Sequence, residues 1–528
     1  MANKNLFKTG VPSRVVKANT VNKAGGTAYQ LSDAEALCQY AVTSTFSDVY
    51  YASGKEQLDD IKRIVDNVDP VIIAKAAVYG HENGKMKDVP AYLLATLAAK
   101  GEIELLRAAW PRVITSPKML LNFVQIVRSG VTGRKSFGTA VKTLIQNWIT
   151  SRWGNKLFQA SIGHSDPSLV DVIKMVHPRP TSPEQNALFG YLLGKNYEAE
   201  NLPPLVKQFE AFKADNTNPI PDMDYRALTN CGLTKDHWKL IAQQMPWNAL
   251  RLNLNTLARN GVFDDDKVTK AVAAKLANAE EVRKWNAFPY QLMTTFQNIE
   301  GVPQKIQLAL QDALEIATEN VPQLGDRVAV CCDVSGSMSS QPVTGSRPGQ
   351  PPTKTMAIHV AALMASAVAR TNPETTVISF GTNSRVVPGF NPRDSVITNA
   401  TKLAYEGNVV GHGTEAAQAI RVIQSLKKKF DLVIFIGDSQ SWCDSRGGFG
   451  AFGATSSNAE WAKYKQFHKN AKLAEIVIQP YANTQNPNSD KSIMNIGGFS
   501  DSVFDVLAEF AHRDENASFL KVVEKIEL

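Results

Sequence analysis

The chain has 528 residues, of which 44% are hydrophobic and 20% are charged, and its formal net charge is +7. Because this length exceeds what one hydrophobic core usually serves, we expect two or more domains. No stretch reaches the apolar length of a membrane span, and residues 1–20 lack the apolar centre of a signal peptide. We therefore expect a globular cytoplasmic protein that binds no membrane.

The cysteines indicate free thiols rather than disulfides. Their number is odd, they form no C-x-x-C pair, and two of them are neighbours in one apolar run, where successive side chains face opposite ways. The five are Cys38, Cys231, Cys331, Cys332 and Cys443.

From about residue 28 to residue 320, apolar residues recur every three or four positions, as in AYLLATLAAKGEIELLRAAW and KMLLNFVQIVRSG. This spacing predicts a succession of short amphipathic helices, with breaks at VP, TSP, HPRPTSP and NPIPD. No strict repeat period is visible, so we expect irregular helical hairpins stacked in a solenoid. Core packing is the better interpretation of Trp148 and Trp247.

Residues 101–160 carry an unusual share of the positive charge. They hold nine Lys or Arg residues against two Glu residues, a local excess equal to that of the whole chain. A solvated helical face is the ordinary explanation of such a segment. The alternative is an electrostatic footprint for a polyanion, for which Arg128, Arg134 and Lys135 are candidate contacts.

Beyond residue 325 the pattern changes to short β-rich apolar runs that alternate with helical stretches. The runs are RVAVCCDVS, TTVISFG, DLVIFIGDS and AEIVIQPY. Since they are apolar on both faces, they predict a doubly wound α/β domain with a parallel sheet between helix layers. The domain boundary is expected near VPQLGDR, between residues 324 and 325.

The string DVSGSM follows the first of these runs and places Asp333, Ser335 and Ser337 at a strand end. The flanking residues fit neither a G-x-S-x-G nucleophile elbow nor a phosphate-binding P-loop. Two interpretations remain. The cluster either forms a polar turn and helix cap, or it supplies oxygen ligands to a hard cation such as Mg²⁺.

Two further positions favour the cation. Thr414 precedes a helix, and Asp438 closes another buried strand. In a doubly wound sheet, ligands gather outside the carboxyl ends of the strands, so these side chains can converge with the DVSGSM cluster on one ion.

This combination resembles the metal-ion-dependent adhesion site of von Willebrand factor A (vWA) domains. The resemblance implies a divalent cation, Mg²⁺ in preference to Mn²⁺, held by Asp333, Ser335, Ser337, Thr414 and Asp438. It also implies a coordination position open to a partner's carboxylate. The chain departs from the family at His412, which interrupts a glycine pair, and in the Pro/Gly/Ser-rich segment 339–355.

Strings in the helical region resemble the TROVE module of the Ro family. They include NKAGGTAYQLSDAEALCQYA, HENGKMKDVPAYLLATLAAK, AVKTLIQNW, DVIKMVHPRP, MPWNALRLNLNTLARNGVF and VRKWNAFPYQLM, in the family's order. The resemblance implies two domains. Residues 1–324 form a ring of HEAT-like helical repeats, and residues 325–528 form a vWA domain.

The same resemblance implies RNA-binding positions. Lys142, Lys174, His177 and Arg179 fall where the family presents basic residues or its histidine, and Lys85 and Lys87 replace an arginine-containing string. The lysines keep the charge but lose the bidentate fork that matches phosphate. Thr139 stands where the family often has an arginine. For His177, which precedes Pro178, a role in the core or in a turn is as good an explanation as an RNA contact.

The expected function is therefore RNA binding without enzymatic activity. In the family, a basic central hole takes single-stranded 3′ ends of misfolded noncoding RNA, and the outer surface binds Y RNA, in RNA quality control or as a ribonucleoprotein scaffold. We expect a monomer, with a protein ligand such as an exoribonuclease at the cation site. The alternative function is a protein-interaction adaptor that uses the helical solenoid and the cation site.

Overall fold

A computed structural model describes residues 16–152, 154–162, 166–285, 289–319, 321–343, 354–444, 448–449, 453–479, 481–512 and 518–528. Most of the Pro/Gly/Ser-rich segment 339–355 lies outside these residues. The chain divides into two compact units. One contains residues 1–67 and 318–525, and the other contains residues 68–317 with the last three residues.

The N-terminal part of the first unit begins with two short strands and two helices. They are β1 (Thr20–Val21), β2 (Thr27–Gln30), α1 (Asp33–Thr43) and α2 (Gly54–Asn67). Ser32 caps α1 through a capping box, because its hydroxyl accepts from the Glu35 N–H while the Glu35 carboxylate accepts from the Ser32 N–H.

The second unit is entirely helical within its described residues. Its α-helices are α3 (Pro70–Glu82), α4 (Asp88–Lys100), α5 (Ile103–Val113), α6 (Pro117–Ser129), α7 (Gly138–Thr150), α8 (Gly154–Ser161), α9 (Leu169–Val176), α10 (Pro183–Leu193), α11 (Pro204–Ala214), α12 (Tyr225–Leu228), α13 (Lys235–Gln244), α14 (Trp247–Leu252), α15 (Leu254–Arg259), α16 (Asp266–Leu276), α17 (Ala279–Lys284), α18 (Pro289–Asn298) and α19 (Gln304–Thr318). Short 3₁₀ turns occur at Ala199–Asn201, Thr229–Cys231 and Val262–Asp264.

Two of the predicted breaks, TSP and HPRPTSP, are helix starts, whereas VP lies within the first turn of α4 and NPIPD lies in the segment before α12. Ser116 and Ser182 cap α6 and α10 with their hydroxyls, and a proline occupies the first helical position in both cases. Proline is tolerated there because the first N–H groups of a helix have no intrahelical partner. Neighbouring helices then pack side by side, α3 against α4 and α5, and α4 against α6. This arrangement confirms the succession of short packed helices.

Both tryptophans assigned to the core are buried. The Trp148 indole donates to the Ile114 carbonyl over 2.7 Å, and the Trp247 indole donates to the Leu276 carbonyl over 3.0 Å. Each ring therefore fills core volume while its one polar atom is satisfied, which removes the cost of burying an unpaired donor.

The C-terminal part of the first unit contains nine further strands and eight helices. They are β3 (Val328–Asp333), α20 (Gly336–Ser340), α21 (Ala357–Thr371), β4 (Thr376–Phe380), β5 (Ser384–Val386), α22 (Val396–Tyr405), α23 (Gly407–Val410), α24 (Ala416–Ser425), β6 (Leu432–Gly437), β7 (Cys443–Asp444), β8 (Gly448–Phe449), α25 (Ala454–Phe467), β9 (Lys472–Val477), β10 (Asn483–Thr484), β11 (Ile493–Gly497), α26 (Ser502–His512) and α27 (Phe519–Glu524).

Six of these strands form one sheet in the order β11-β9-β6-β3-β4-β5. All its pairings are parallel except that of β5, which is antiparallel to β4 at the edge. Every residue of β3, β6 and β11 is buried, as expected for strands with helices on both faces. The predicted change from helices to a doubly wound α/β domain is confirmed.

The N-terminal segment packs with this C-terminal sheet, which the predicted boundaries 1–324 and 325–528 did not anticipate. Strand β2 pairs with β1 and also with β10, where Gln30 lies opposite Asn483. Helix α1 packs against β11 and α27. Strands of two to four residues have little stability alone and form only because they pair with other segments. Since the partner of β2 is distant in the chain, no local sequence pattern predicts this pairing.

All five cysteines are free, as expected, and four of them are buried. Burial raises the pKa of the Cys331 and Cys332 thiols. Within the described part of the chain, no helix combines the length and apolar character that crossing a membrane demands.

The attachment of the N-terminal hairpin can be tested at Gly26. A Cβ atom there would lie 2.1 Å from the Ser441 carbonyl oxygen, whereas a Cβ at Gly25 would meet no atom within 4 Å. We expect Gly26→Ala to destabilise the protein by about 1–3 kcal/mol through overpacking against backbone. Gly25→Ala should cost only the strain of its positive φ, about 1 kcal/mol. Thermal unfolding of both variants checks this; an equal shift would place the hairpin elsewhere.

Candidate cation site and candidate RNA-binding residues

Two carboxylates lie at the ends of neighbouring strands. Strands β3 and β6 are parallel partners with Cys332 opposite Ile436, so Asp333 closes one strand and Asp438 follows the other. A Cβ on Gly437 would come within 2.8 Å of the Asp333 Cβ. Glycine at this position therefore allows the Asp333 side chain to occupy the space beside the neighbouring strand end.

The two serines of DVSGSM turn toward each other after β3. The Ser335 N–H donates to Asp333 Oδ1 over 2.9 Å, and the Ser335 and Ser337 hydroxyl oxygens are 3.2 Å apart. The Gly336 N–H donates to the His412 carbonyl over 2.9 Å. His412, which departs from the vWA pattern, thus contributes its backbone to the site while its side chain is exposed.

Thr414 lies against the chain that follows Asp438. Its carbonyl accepts from the Trp442 N–H and the Ser441 hydroxyl, each over 3.0 Å. The loop before α24 is thereby tied to the end of β6. All five predicted ligands are at most 3% exposed, and the structure brings them to one edge of the sheet.

Burial of like charges dominates the electrostatics of this site. Desolvation raises the pKa of Asp438 to about 6, and desolvation followed by repulsion from Asp438 raises the pKa of Asp333 well above its usual value. Asp438 Oδ2 is buried and accepts no hydrogen bond from any described residue. Both carboxylates accept backbone hydrogen bonds but form no ion pair with a described residue. Oxygen ligands around two such buried charges suit a hard divalent cation, which would neutralise both.

The fit depends on the hydroxyls as well as the carboxylates. Among the described residues, no group of three or more His, Cys, Asp or Glu side chains is arranged to hold a metal. A cation at this site would therefore be held by Asp333 and Asp438 with the Ser335, Ser337 and Thr414 hydroxyls, which is the donor set that the sequence predicts.

Two tyrosines that the sequence did not point to cover the site. Tyr51 is close enough to Ser337 for a side-chain hydrogen bond, and the nearby charges of Asp438 and Asp333 add to the burial that raises its pKa. Its ring meets the Tyr481 ring edge-on at 5.8 Å, and its N–H donates to the Tyr481 hydroxyl. Both tyrosines therefore lie beside the predicted ligands.

A third buried carboxylate, Glu475, lies in the middle of β9. The Asn486 amide donates to it over 2.7 Å and the Thr484 hydroxyl over 3.2 Å, but its Oε1 has no partner among the described residues. Burial, with a smaller contribution from Asp438, raises its pKa to about 7. The acidic residue inside the apolar run AEIVI was the sequence signal that could have identified it.

The helical unit contains all the candidate RNA-binding residues. Of the nine basic residues in 101–160, two form ion pairs, Arg107 with Glu104 and Arg112 with Glu82. Arg152 stacks on the Trp148 ring at 3.3 Å. Five of the nine have no carboxylate partner within the described ranges, so their charge is available to a polyanion. They are Lys118, Arg128, Lys135, Lys142 and Lys156.

Arg134 has a structural task instead. Its guanidinium donates to the carbonyls of Ser136, Ala98 and Phe137 over 2.7, 2.8 and 3.0 Å. Three of its five N–H donors are thus engaged in fixing the loop between α6 and α7. Arg128 and Lys135 flank this loop and are exposed, which makes them better candidates for phosphate contacts.

The residues carried over from the Ro family lie at helix ends. Lys85 and Lys87 are exposed between α3 and α4, and Lys174 is exposed in the last turn of α9. His177 ends α9 with a φ of +48°, so it is both a turn residue and exposed. Arg179 is exposed two residues later.

Lys142 lies near the same helix end. It precedes Gln146 by one turn of α7, and the Gln146 amide donates to the carbonyls of Val176 and His177. Residues four apart share a helix face, so the structure places Lys142 on the side of α7 that meets the end of α9.

Comparisons with known proteins agree with this arrangement. The TROVE domain matches residues 164–338, and the Ro60 vWA domain matches residues 327–511. A relative in Deinococcus radiodurans, RNA-binding protein RO60, is 24% identical over 463 residues, which cover 80% of this chain and 83% of that protein. Its namesake in Caenorhabditis elegans is 21% identical over 605 residues, which cover 94% and 90%.

The crystal structure of the Deinococcus radiodurans RO (RSR) protein matches this chain with a TM-score of 0.63 and 19% sequence identity. The match covers 91% of this chain and 99% of that chain. At this identity the likeness shows a common fold.

The buried carboxylates predict how stability depends on pH. Between about pH 4 and pH 7 the folded chain keeps a proton on Glu475 that the unfolded chain has lost, so the free energy of unfolding falls as the pH rises through this window. The cost of ionising Glu475 is about 3 kcal/mol.

In the presence of a metal chelator, the Glu475→Gln variant should therefore be stabilised relative to wild type more at pH 7.5 than at pH 5.5. The matched variant Glu104→Gln, at an 85% exposed side chain, should show no such pH dependence. Thermal unfolding of wild type and both variants at the two pH values tests this prediction. If the stability difference between Glu475→Gln and wild type is the same at both pH values, Glu475 is ionised in the folded protein without cost.

Proposed function

Since this chain belongs to the Ro family, with a TROVE domain followed by a Ro60 vWA domain, we propose that it is an RNA-binding protein. Its helical unit binds the single-stranded 3′ ends of misfolded noncoding RNA in the basic hole that the family implies, and Y RNA on the outer surface. The role is RNA quality control or the scaffold of a ribonucleoprotein. Two relatives that carry the name RNA-binding protein support the proposal.

The observation that carries this proposal is a set of cationic side chains without carboxylate partners in the helical unit's described residues. The set comprises Lys85, Lys87, Lys118, Arg128, Lys135, Lys142, Lys156, Lys174 and Arg179. Unpaired cations attract backbone phosphates without reading base sequence. A single strand is therefore bound by charge and shape, which suits a protein that accepts many defective RNAs.

For the first unit we propose a Mg²⁺ or Mn²⁺ ion held by Asp333, Ser335, Ser337, Thr414 and Asp438. The ion would supply positive charge between two buried carboxylates. Its role is structural and organises the loops at the strand ends, because Tyr51 covers the site and the ligands are nearly inaccessible.

A protein ligand at the cation site, such as an exoribonuclease, is a second candidate function. Residues 326–528 have a charge excess of only one, so this part of the chain offers RNA little electrostatic attraction. Binding through the ion requires displacement of Tyr51. A Tyr51→Ala variant should then bind such a partner more tightly than the wild type does.

The salt dependence of binding tests the RNA proposal. We expect wild type to bind RNA with a single-stranded 3′ tail more tightly than blunt duplex. An Arg128→Ala, Lys135→Ala double variant should reduce the slope of log affinity against log salt by about 1.4, since each phosphate contact on a single strand contributes about 0.7. Arg134 is left intact because it holds the loop.

The control for this experiment is a Lys267→Ala, Lys469→Ala variant, which removes two exposed lysines outside the candidate set. Its slope should equal that of wild type, and unfolding curves should show all three proteins folded. Equal affinity for tailed and blunt RNA would contradict the single-strand mechanism, and an unchanged slope in the double variant would remove these two residues from the interface.

Metal titration tests the cation proposal. Added Mg²⁺ or Mn²⁺ should raise the melting temperature of wild type, because a ligand that binds only the folded state stabilises it. Asp438→Asn should abolish this response and, since it removes one of two repelling charges, should be at least as stable as wild type in chelator. Asp236→Asn, at an 85% exposed side chain, is the matched control. A metal response that persists in Asp438→Asn would show that the ion binds elsewhere.

A further inference from the structure

A cavity of about 370 Å³ opens where the end of α9 faces α10. Its polar lining consists of Lys174, His177, Asn186, Lys195 and Asn196, and its apolar lining includes Phe189. A volume of this size lies within the range of small-molecule sites. By contrast, a cavity in the other unit, between Thr43 and Phe499, holds about 20 Å³.

The walls of this cavity are fixed by the backbone. His177 turns the chain with its positive φ and leads into Pro178, whose ring restricts the backbone further. On the opposite side the Lys195 N–H donates to the Gly190 carbonyl over 2.8 Å, and a Cβ on Gly190 would lie 2.8 Å from the Tyr197 Cβ. The cavity is therefore preformed, so a ligand would not bear the cost of ordering it.

The side chains that line the cavity carry a net positive charge. Asp171, which interacts electrostatically with Lys174, lies outside the lining. Lys174 and Lys195 lie in its lining, and neither forms an ion pair with any described residue. No acidic side chain lines it. The Gln146 amide also donates to the Val176 carbonyl over 2.6 Å, which satisfies one of the carbonyls at the negative end of α9. The full charges of Lys174 and Lys195 exceed the partial negative charges, about −0.5 each, at the ends of α9 and α10, which suits the cavity to an anion.

The remaining lining exceeds what a bare anion requires. The side-chain amides of Asn186 and Asn196 have no partner among the described residues, and amides offer both donors and acceptors to the edge of a base. Apolar side chains, Phe189 among them, form the rest of the wall. Single-stranded RNA is commonly recognised through unstacked bases that enter such pockets.

We propose that this cavity binds one unpaired nucleotide, with its phosphate at Lys174 and Lys195 and its base between the two asparagine amides and the apolar wall. The inference rests on the proposed RNA-binding function and makes it more specific. One nucleotide of the strand is captured as a unit, whereas the lysines and arginines elsewhere in the helical unit contact only the backbone. A free mononucleotide has the same chemistry and should occupy the same cavity.

Competition and variants test this proposal in the full-length chain. Binding of a fluorescent single-stranded RNA tail is measured with increasing 5′-UMP, 5′-AMP, uridine or inorganic phosphate. We expect both mononucleotides to compete in wild type, and uridine and phosphate to compete at least about tenfold less well, because each supplies only half of the contacts. Leu193→Trp fills the cavity and should abolish competition by mononucleotide. Leu240→Trp, at an exposed position on α13, should not.

Two milder variants keep the test decisive if Leu193→Trp does not fold. Asn186→Leu, at an exposed position, should weaken mononucleotide competition without changing the salt slope of RNA binding. Lys195→Ala should weaken competition and lower that slope by about 0.7, whereas Lys267→Ala should do neither.

The outcomes separate this proposal from the function on which it rests. If wild type binds tailed RNA with a steep salt dependence but mononucleotides do not compete, the nucleotide cavity is excluded and RNA binding stands. Equal competition by phosphate and 5′-UMP would reduce the cavity to an anion site and overturn the proposal. If wild type shows no salt-dependent binding of tailed RNA, the proposed function itself fails, and direct calorimetry with 5′-UMP then decides whether the cavity binds a free nucleotide.

Discussion

The burial of two like charges at adjacent strand ends is the electrostatic constraint that the sheet of the first unit has to accommodate. Asp333 and Asp438 are desolvated together, and the charge of Asp438 adds to the energetic cost of ionising Asp333. A packed sheet tolerates such a pair only with compensation nearby. The glycine beside Asp333, the serine hydroxyls and the loop around Thr414 all lie where they provide room or oxygen atoms.

The helical unit has the opposite electrostatic character. Many of its cations lie at helix ends or in turns and are exposed, so they remain hydrated and contribute little to stability. Where a basic side chain does contribute to the fold, it is engaged: Arg134 holds three carbonyls and Arg152 stacks on a tryptophan. The distinction separates residues available to a ligand from residues that maintain the unit, which composition alone does not reveal.

The sequence was sufficient to predict elements whose signals are local. Apolar periodicity indicated the packed helices, continuous apolar runs indicated the buried parallel strands, and S-P pairs marked helix starts. Strand ends also placed Asp333 and Asp438 correctly, since parallel strands bring their carboxyl ends to one edge. The family resemblance, confirmed by the two matching domains, fixed the order of the parts.

Other features depend on contacts between residues that are distant in the chain, and no spacing rule predicts these. Tyr51 reaches Ser337 across almost 300 residues, and the partner of Gln30 is Asn483. The structural use of Arg134 was hidden for a different reason. An arginine that binds backbone carbonyls has the same sequence signature as one that awaits phosphate.

The pairing of β2 with β10 also determines how late, during synthesis of the chain, the first unit can complete its fold. A ribosome adds roughly 5–20 residues per second, so residue 483 emerges roughly 20–90 s after residue 30. Throughout that interval Tyr29, which is buried in the finished protein, lacks its β10 partner Thr484 and β2 pairs only with β1. Residues 68–317 of the helical unit are made before that partner exists. The first unit can therefore complete its fold only after residues 68–317 have been made. Until β10 pairs with it, the free edge of β2 can pair with another chain, so the N-terminal hairpin is an aggregation risk on the nascent chain.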